Sequence, residues 1–121
     1  MSTKGSTMKV IDSNRVQQAA GEGVPLIDVR PSSMFAEGHV PGAKNVPLVV
    51  PEDGSMYPDS EILSAVKAAG VQPEDDVVLY CQTGLHAGLA AETLTHNGYS
   101  NVEVYTGSMN DWTEKGLPTE A

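Results

Sequence analysis

The chain has 121 residues, 40% of them hydrophobic and 19% charged, a composition that suits one compact globular domain and excludes disordered, collagenous or coiled-coil chains. Its formal net charge is -9, with 7 basic against 16 acidic residues, so it repels phosphate backbones and anionic headgroups; neither nucleic acid nor membrane is an expected partner. The lone cysteine, Cys81, forbids an internal disulfide and an internal resolving thiol, and fits a reducing compartment.

No apolar run is long enough to span a bilayer. The opening MSTKGSTMKV lacks the apolar centre of a secretory signal, so the cytoplasm is the expected location. Residues 1–7 read as a disordered polar tail and residues 8–121 as the domain.

Met8 to Ile11 predicts a first strand. Asp12 or Ser13 caps a helix through Gly21, because either side chain can accept from free helical N–H groups. Pro25 to Val29 is almost wholly apolar, the pattern of a strand covered on both faces. Ser32 to Gly38 reads as one or two helical turns. Ala43 to Leu48 reads as an edge strand, since Pro47 cannot donate to a ladder. A turn-rich loop, Val49 to Pro58, precedes a helix from Asp59 to Gly70 with Ile62, Leu63, Val66 and Ala69 on one face. Asp76 to Cys81 is the strongest buried strand, followed by a helix over Leu85 to Gly98. Val102 to Tyr105 is a fifth strand and Ser108 to Lys115 a last short helix. Strands separated by helices of this length imply a parallel sheet with helices on both sides, where ligands sit outside the carboxyl ends of the strands. Cys81 stands at such an end.

The segment from Cys81 to Ala87 has the order strand, cysteine, tight loop, helix. Gly84 permits a sharp turn closed to other residues. Successive loop N–H groups can then converge on one spot, and the helix beginning near His86 adds the positive end of its dipole. Both effects favour a thiolate, exposed and ready to react. The alternative is a small apolar residue that merely ends a core strand.

Two stretches carry a resemblance to the rhodanese family of sulfurtransferases. Asp28-Val29-Arg30, followed by Glu37-Gly38-His39-Val40-Pro41-Gly42-Ala43, resembles the family's Asp-x-Arg strand end and Glu-Gly-His-hydrophobic-Pro-Gly-Ala segment. The strand, loop and helix around Cys81 resemble its active-site block. Gly107 to Trp112, with Leu117-Pro118, resembles the end of the catalytic domain of two-domain thiosulfate and mercaptopyruvate sulfurtransferases. The match spans about Val10 to Glu120. It implies an α/β three-layer sandwich with a central five-stranded parallel sheet. It further implies that Cys81 takes a sulfane sulfur from a donor such as thiosulfate or 3-mercaptopyruvate, holds it as a persulfide, and passes it to cyanide, a thiol or a protein acceptor. On the same ground the amides of Gln82, Thr83, Gly84, Leu85, His86 and Ala87 cradle the persulfide, and no cofactor is required. The loop length resembles the sulfur-transferring branch of this fold, since the phosphatase branch carries a longer one.

Many single-domain rhodaneses have arginine five residues after the cysteine, where this chain has His86. Histidine is charged only part of the time near neutral pH, which leaves substrate choice open. Arg30 has two readings, a substrate ligand or an ion pair with Glu37; as a ligand, its loss should raise KM for thiosulfate more than it lowers thermal stability. His39 is expected to hold a turn, His96 to lie on the surface, and Trp112 to anchor the last helix. The histidines and cysteine lack metal-ligand spacing, so no metal site is expected. Beside the sulfurtransferase reading stand two others, a relay of persulfide between proteins and a non-catalytic binding or redox-sensing module.

Overall fold

The computed structural model describes residues 8–121. The tail expected over residues 1–7 lies outside the described residues. Five strands, β1 (Met8–Ile11), β2 (Leu26–Asp28), β3 (Lys44–Asn45), β4 (Asp76–Tyr80) and β5 (Asn101–Tyr105), form one sheet in the order β1-β5-β4-β2-β3. Every pairing is parallel. The helices are α1 (Ser13–Gly21), α2 (Ser32–Glu37), α3 (Asp59–Ala68), α4 (Leu85–His96) and α5 (Ser108–Glu114).

The alternation of side chains along β4 divides the interior in two. Val77, Leu79 and Cys81 face a core shared with Ile62 and Val66 of α3 and Ala87, Ala90 and Leu94 of α4. Val78 and Tyr80 face the opposite core, with Val16 and Ala19 of α1 and Met109 and Trp112 of α5. Two covered faces explain why this strand reads as a continuous apolar run. Asp12 caps α1, its side chain accepting from the Arg15 N–H at 3.0 Å. The third strand is an edge, as Pro47 implies, but shrinks to two residues. Its chain instead ties Leu48 N–H to Val29 O at 3.0 Å and bends away into the 49–58 loop. Trp112 anchors the last helix as expected, donating from Nε1 to Pro118 O at 2.7 Å.

The strand order sets the carboxyl ends of β2, β4 and β5 side by side. Arg30, Cys81 and Ser108 follow those three ends, so residues far apart in sequence meet at one end of the sheet.

Candidate active site

Cys81 leaves β4 and the chain turns at Gly84, which adopts φ 99° and caps α4. A Cβ there would lie 2.2 Å from the Thr106 carbonyl oxygen, so only glycine lets the loop close against the end of β5. Closure brings the Gly84 N–H to 3.1 Å and the Ala87 N–H to 3.4 Å from the Cys81 sulfur. Ala87 lies in the first turn of α4, so its N–H is one of the donors a helix start leaves without an internal partner. Two amide dipoles and a 12-residue helix pointing its positive end at the sulfur stabilise negative charge there.

The opposite wall is the start of α5. Ser108 is fully buried and sits at φ 56°, in the left-handed region a non-glycine residue seldom adopts. Its Oγ accepts from the Cys81 N–H at 3.1 Å and donates to Tyr105 O at 2.9 Å. With that proton committed, its 3.9 Å approach to the sulfur is packing more than hydrogen bonding. Beside it, Met109 N–H donates to Cys81 O at 3.0 Å and Asn110 N–H to Gln82 O at 3.1 Å. In a planar trans peptide the N–H points away from the C=O. Holding these two carbonyls against α5 therefore turns the Gln82 and Thr83 N–H groups away from α5. Among the described residues, neither N–H meets a protein acceptor.

Arg30 follows β2 and is nearly buried. Its guanidinium pairs with Asp28, through Nη2–Oδ2 at 2.8 Å and Nε–Oδ1 at 3.0 Å, and donates to Gly38 O at 2.7 Å. The ion pair expected with Glu37 is thus corrected: Glu37 is exposed at the end of α2, whereas residues 28 and 30 point to the same side of an extended chain. Arg30 Nη1 also donates to Gln82 Oε1 at 3.0 Å, and Gln82 Nε2 donates onward to Asn110 Oδ1 at 2.6 Å. Tyr80 closes the inner side. Burial, then the Asp28 carboxylate, raise its phenol far above the usual tyrosine range, so it stays neutral.

The expectation of an exposed sulfur is also corrected: Cys81 is 0% accessible. The loop wraps the sulfur too closely, with Gly84 against Thr106 and Ser108 beneath. Within the loop, only Gly84 and Ala87 aim their amides at Sγ. The Thr83 and Leu85 side chains face outward, with Leu85 63% exposed. His86 Nε2 lies 3.0 Å from Gly54 O, tying the cysteine loop to the 49–58 loop. His39 contacts Phe35 O through Nδ1 at 2.9 Å and holds the α2 turn, and His96 is exposed. Among the described residues, no group of three or more His, Cys, Asp or Glu side chains could hold a metal, and no helix is long and apolar enough to cross a membrane. The sequence reading did not single out Ser108 or Asn110; the signal available was their position just after the strand neighbouring β4.

A doubly covered parallel sheet with a cysteine loop wrapped by amides at its carboxyl end defines an α/β domain built around one cysteine. The model of the Rhodanese-like domain matches residues 12–115, and the chain belongs to that family. It is 32% identical over 105 residues to a thiosulfate:glutathione sulfurtransferase of Saccharomyces cerevisiae, covering 87% of this chain and 76% of that protein. It is 33% identical over 99 residues to a chloroplastic thiosulfate sulfurtransferase of Arabidopsis thaliana, covering 82% of each. The solution structure of a polysulfide-sulfur transferase from Wolinella succinogenes superposes with a TM-score of 0.70 at 26% identity, covering 93% of this chain and 78% of that one.

Proposed function

We propose that the protein moves a sulfane sulfur from thiosulfate or a related donor, such as 3-mercaptopyruvate, to a thiol or cyanide through a persulfide on Cys81. The observation that carries this reading is the pair of amides, Gly84 and Ala87, donating to one buried sulfur. A cysteine serving only as core filler needs no such donors. The relatives named as thiosulfate sulfurtransferases support the same donor class.

In the first half-reaction the Cys81 thiolate attacks the outer sulfur of thiosulfate and sulfite leaves. The sulfur it gains extends beyond Sγ, and its negative charge calls for further donors; among the described residues the Gln82 and Thr83 N–H groups meet no protein acceptor and could supply them. In the second, the acceptor attacks that outer sulfur and restores the thiolate. Intact mass after thiosulfate exposure tests the reading: the wild type gains one sulfur atom and Cys81→Ser gains none. A wild type that stays unmodified by thiosulfate yet takes sulfur from a persulfidated protein would favour the relay instead.

A further inference from the structure

Two large apolar side chains lie open on α4: Leu85, 63% exposed, and Leu89, 42% exposed. A spacing of four puts them on one helix face, about 6 Å apart along the axis, and Leu85 directly follows Gly84 of the cysteine loop. Leu89 also lines an open groove between α3 and α4, about 310 Å³, whose other apolar members are the buried Ile62 and the half-buried Met56. Its charged members are Asp59 and Glu92, with His96 beside them; among the described residues no lysine or arginine lines it. Thr93 Oγ1 donates to Asp59 Oδ1 at 3.0 Å, and among the described residues neither carboxylate pairs with a basic side chain. Glu52 and Asp53, both exposed beside the Gly54 that His86 contacts, carry the negative potential on toward the cysteine loop. An apolar groove edged by uncompensated carboxylates is complementary to an apolar group flanked by positive charge. A second copy of this chain is a poor occupant, since it would bring a net charge of -9 against its own like.

Resting on the sulfurtransferase reading, we propose that this groove docks a protein sulfur acceptor through a leucine-like side chain bordered by lysine or arginine, and that α4 leads the acceptor's cysteine to the Cys81 loop. The helical rise from Gly84 to Leu89 is about 7.5 Å, a span that roughly three extended residues cover. The acceptor's apolar anchor and its reactive cysteine therefore stand about three residues apart. In the transfer, the acceptor thiolate forms a bond to the outer sulfur of the Cys81 persulfide as the bond between the two sulfurs breaks. The electron pair of that bond returns to Cys81 Sγ, and the acceptor leaves as the persulfide. Two anions enter and two leave, with no outside oxidant or reductant.

The test compares three acceptor peptides on the whole chain with thiosulfate as donor: acetyl-Cys-Lys-Lys-Leu-Lys-amide, its analogue with serine for leucine, and its analogue with glutamate for every lysine. Each kcat/KM is divided by the value for cyanide on the same protein. The leucine peptide should exceed its serine analogue by about fivefold or more. It should exceed the glutamate analogue by about tenfold or more at low salt, a gap that shrinks as salt rises. Leu89→Ser should bring the leucine-to-serine ratio near one, and Glu92→Lys should cut the lysine-to-glutamate ratio several-fold. Both side chains are exposed, and thermal melting checks that both variants fold. A leucine-to-serine ratio near one in the wild type, or ratios that neither variant moves, overturns the proposal, while turnover with cyanide keeps the sulfurtransferase reading. Self-association that Leu89→Ser abolishes also overturns it, because the groove then belongs to a second copy. If neither cyanide nor any peptide takes sulfur, the sulfurtransferase reading falls and takes the proposal with it.

Discussion

The Ser108 hydroxyl holds the Cys81 backbone N–H at 3.1 Å from a position 27 residues away, and does so in a left-handed conformation at φ 56°. That bond joins the ends of β4 and β5 and fixes the direction in which the cysteine loop starts. Strain and hydrogen bonding can be separated by two substitutions. Ser108→Ala keeps the strained conformation and leaves a buried N–H without a partner, a loss of about 1–3 kcal/mol. Ser108→Gly loses the same bond but relieves a left-handed penalty of about 1–2 kcal/mol. The glycine variant should therefore melt higher than the alanine variant. Both should load sulfur more slowly, through kcat rather than KM, because the amides around Cys81 are no longer held. Equal melting temperatures, or unchanged kcat in both, would contradict this account.

Arg30 and Asp28 form a buried pair, with side chains 6% and 0% exposed. Removing one partner of such a pair costs about 3–5 kcal/mol, since it strands the other charge away from water. Arg30→Ala should consequently lose much stability, against the expectation drawn from sequence that its effect on KM would dominate. The double variant Asp28→Asn/Arg30→Ala should recover part of that loss. If Arg30 also binds donor, KM for thiosulfate stays raised in the double variant; if it is purely structural, KM returns toward the wild-type value. Denaturant melts and steady-state rates on the four proteins of this cycle decide between the two.

Gly84 and Gly88 stand one helical turn apart and should respond oppositely to alanine. At Gly84, φ 99° and the Thr106 carbonyl leave no space for a methyl group, so Gly84→Ala must push the loop off β5. At Gly88 the backbone is helical and nothing lies within 4 Å of a new Cβ. Gly88→Ala should stabilise α4 by roughly 0.5–1 kcal/mol, with persulfide formation retained. Gly84→Ala should destabilise and abolish sulfur loading, as read by melting and by intact mass. A Gly84→Ala protein that loads sulfur normally would contradict this loop geometry.

These contrasts show what the sequence makes legible. Cys81, Gly84 and the start of α4 are contiguous, and local rules for strand, turn and helix suffice to place them. β2 and β4 follow from apolar runs for the same reason, whereas β3 keeps only Lys44 and Asn45 of the predicted Ala43 to Leu48. Ser108 is different: its role depends on β5 lying beside β4, which chain order alone does not dictate, and on a positive φ that no serine advertises. The burial of Cys81 has a related cause, because Gly84 closes against Thr106 and Ser108 packs against the sulfur, both from the neighbouring strand end. The Asp28–Arg30 pair is legible in the sequence, since two residues spaced by two on an extended chain share a side. His86 meets Gly54 in a loop whose path no periodicity sets.

The last helix offers a pH-dependent handle on the same wall. The Tyr105 hydroxyl donates to Asp111 Oδ2 at 2.6 Å and Lys115 Nζ sits 3.1 Å from it; these contacts hold the Asp111 carboxyl below its usual range. A carboxyl whose folded pKa is depressed adds stability above its unfolded pKa of about 3.9 and loses it as pH falls through the lower folded value. The contribution is therefore whole near neutrality and fades only in strong acid. Asp111→Asn should melt below wild type at about pH 7, and the gap should narrow toward about pH 3 and below. Because α5 also holds Cys81 and Gln82 through the Met109 and Asn110 amides, the variant should lose some sulfur-loading rate at neutral pH. Melting curves across that range, paired with loading rates at neutrality, check both halves. A gap independent of pH would mean that Asp111 acts through packing on Gly107 rather than through its charge.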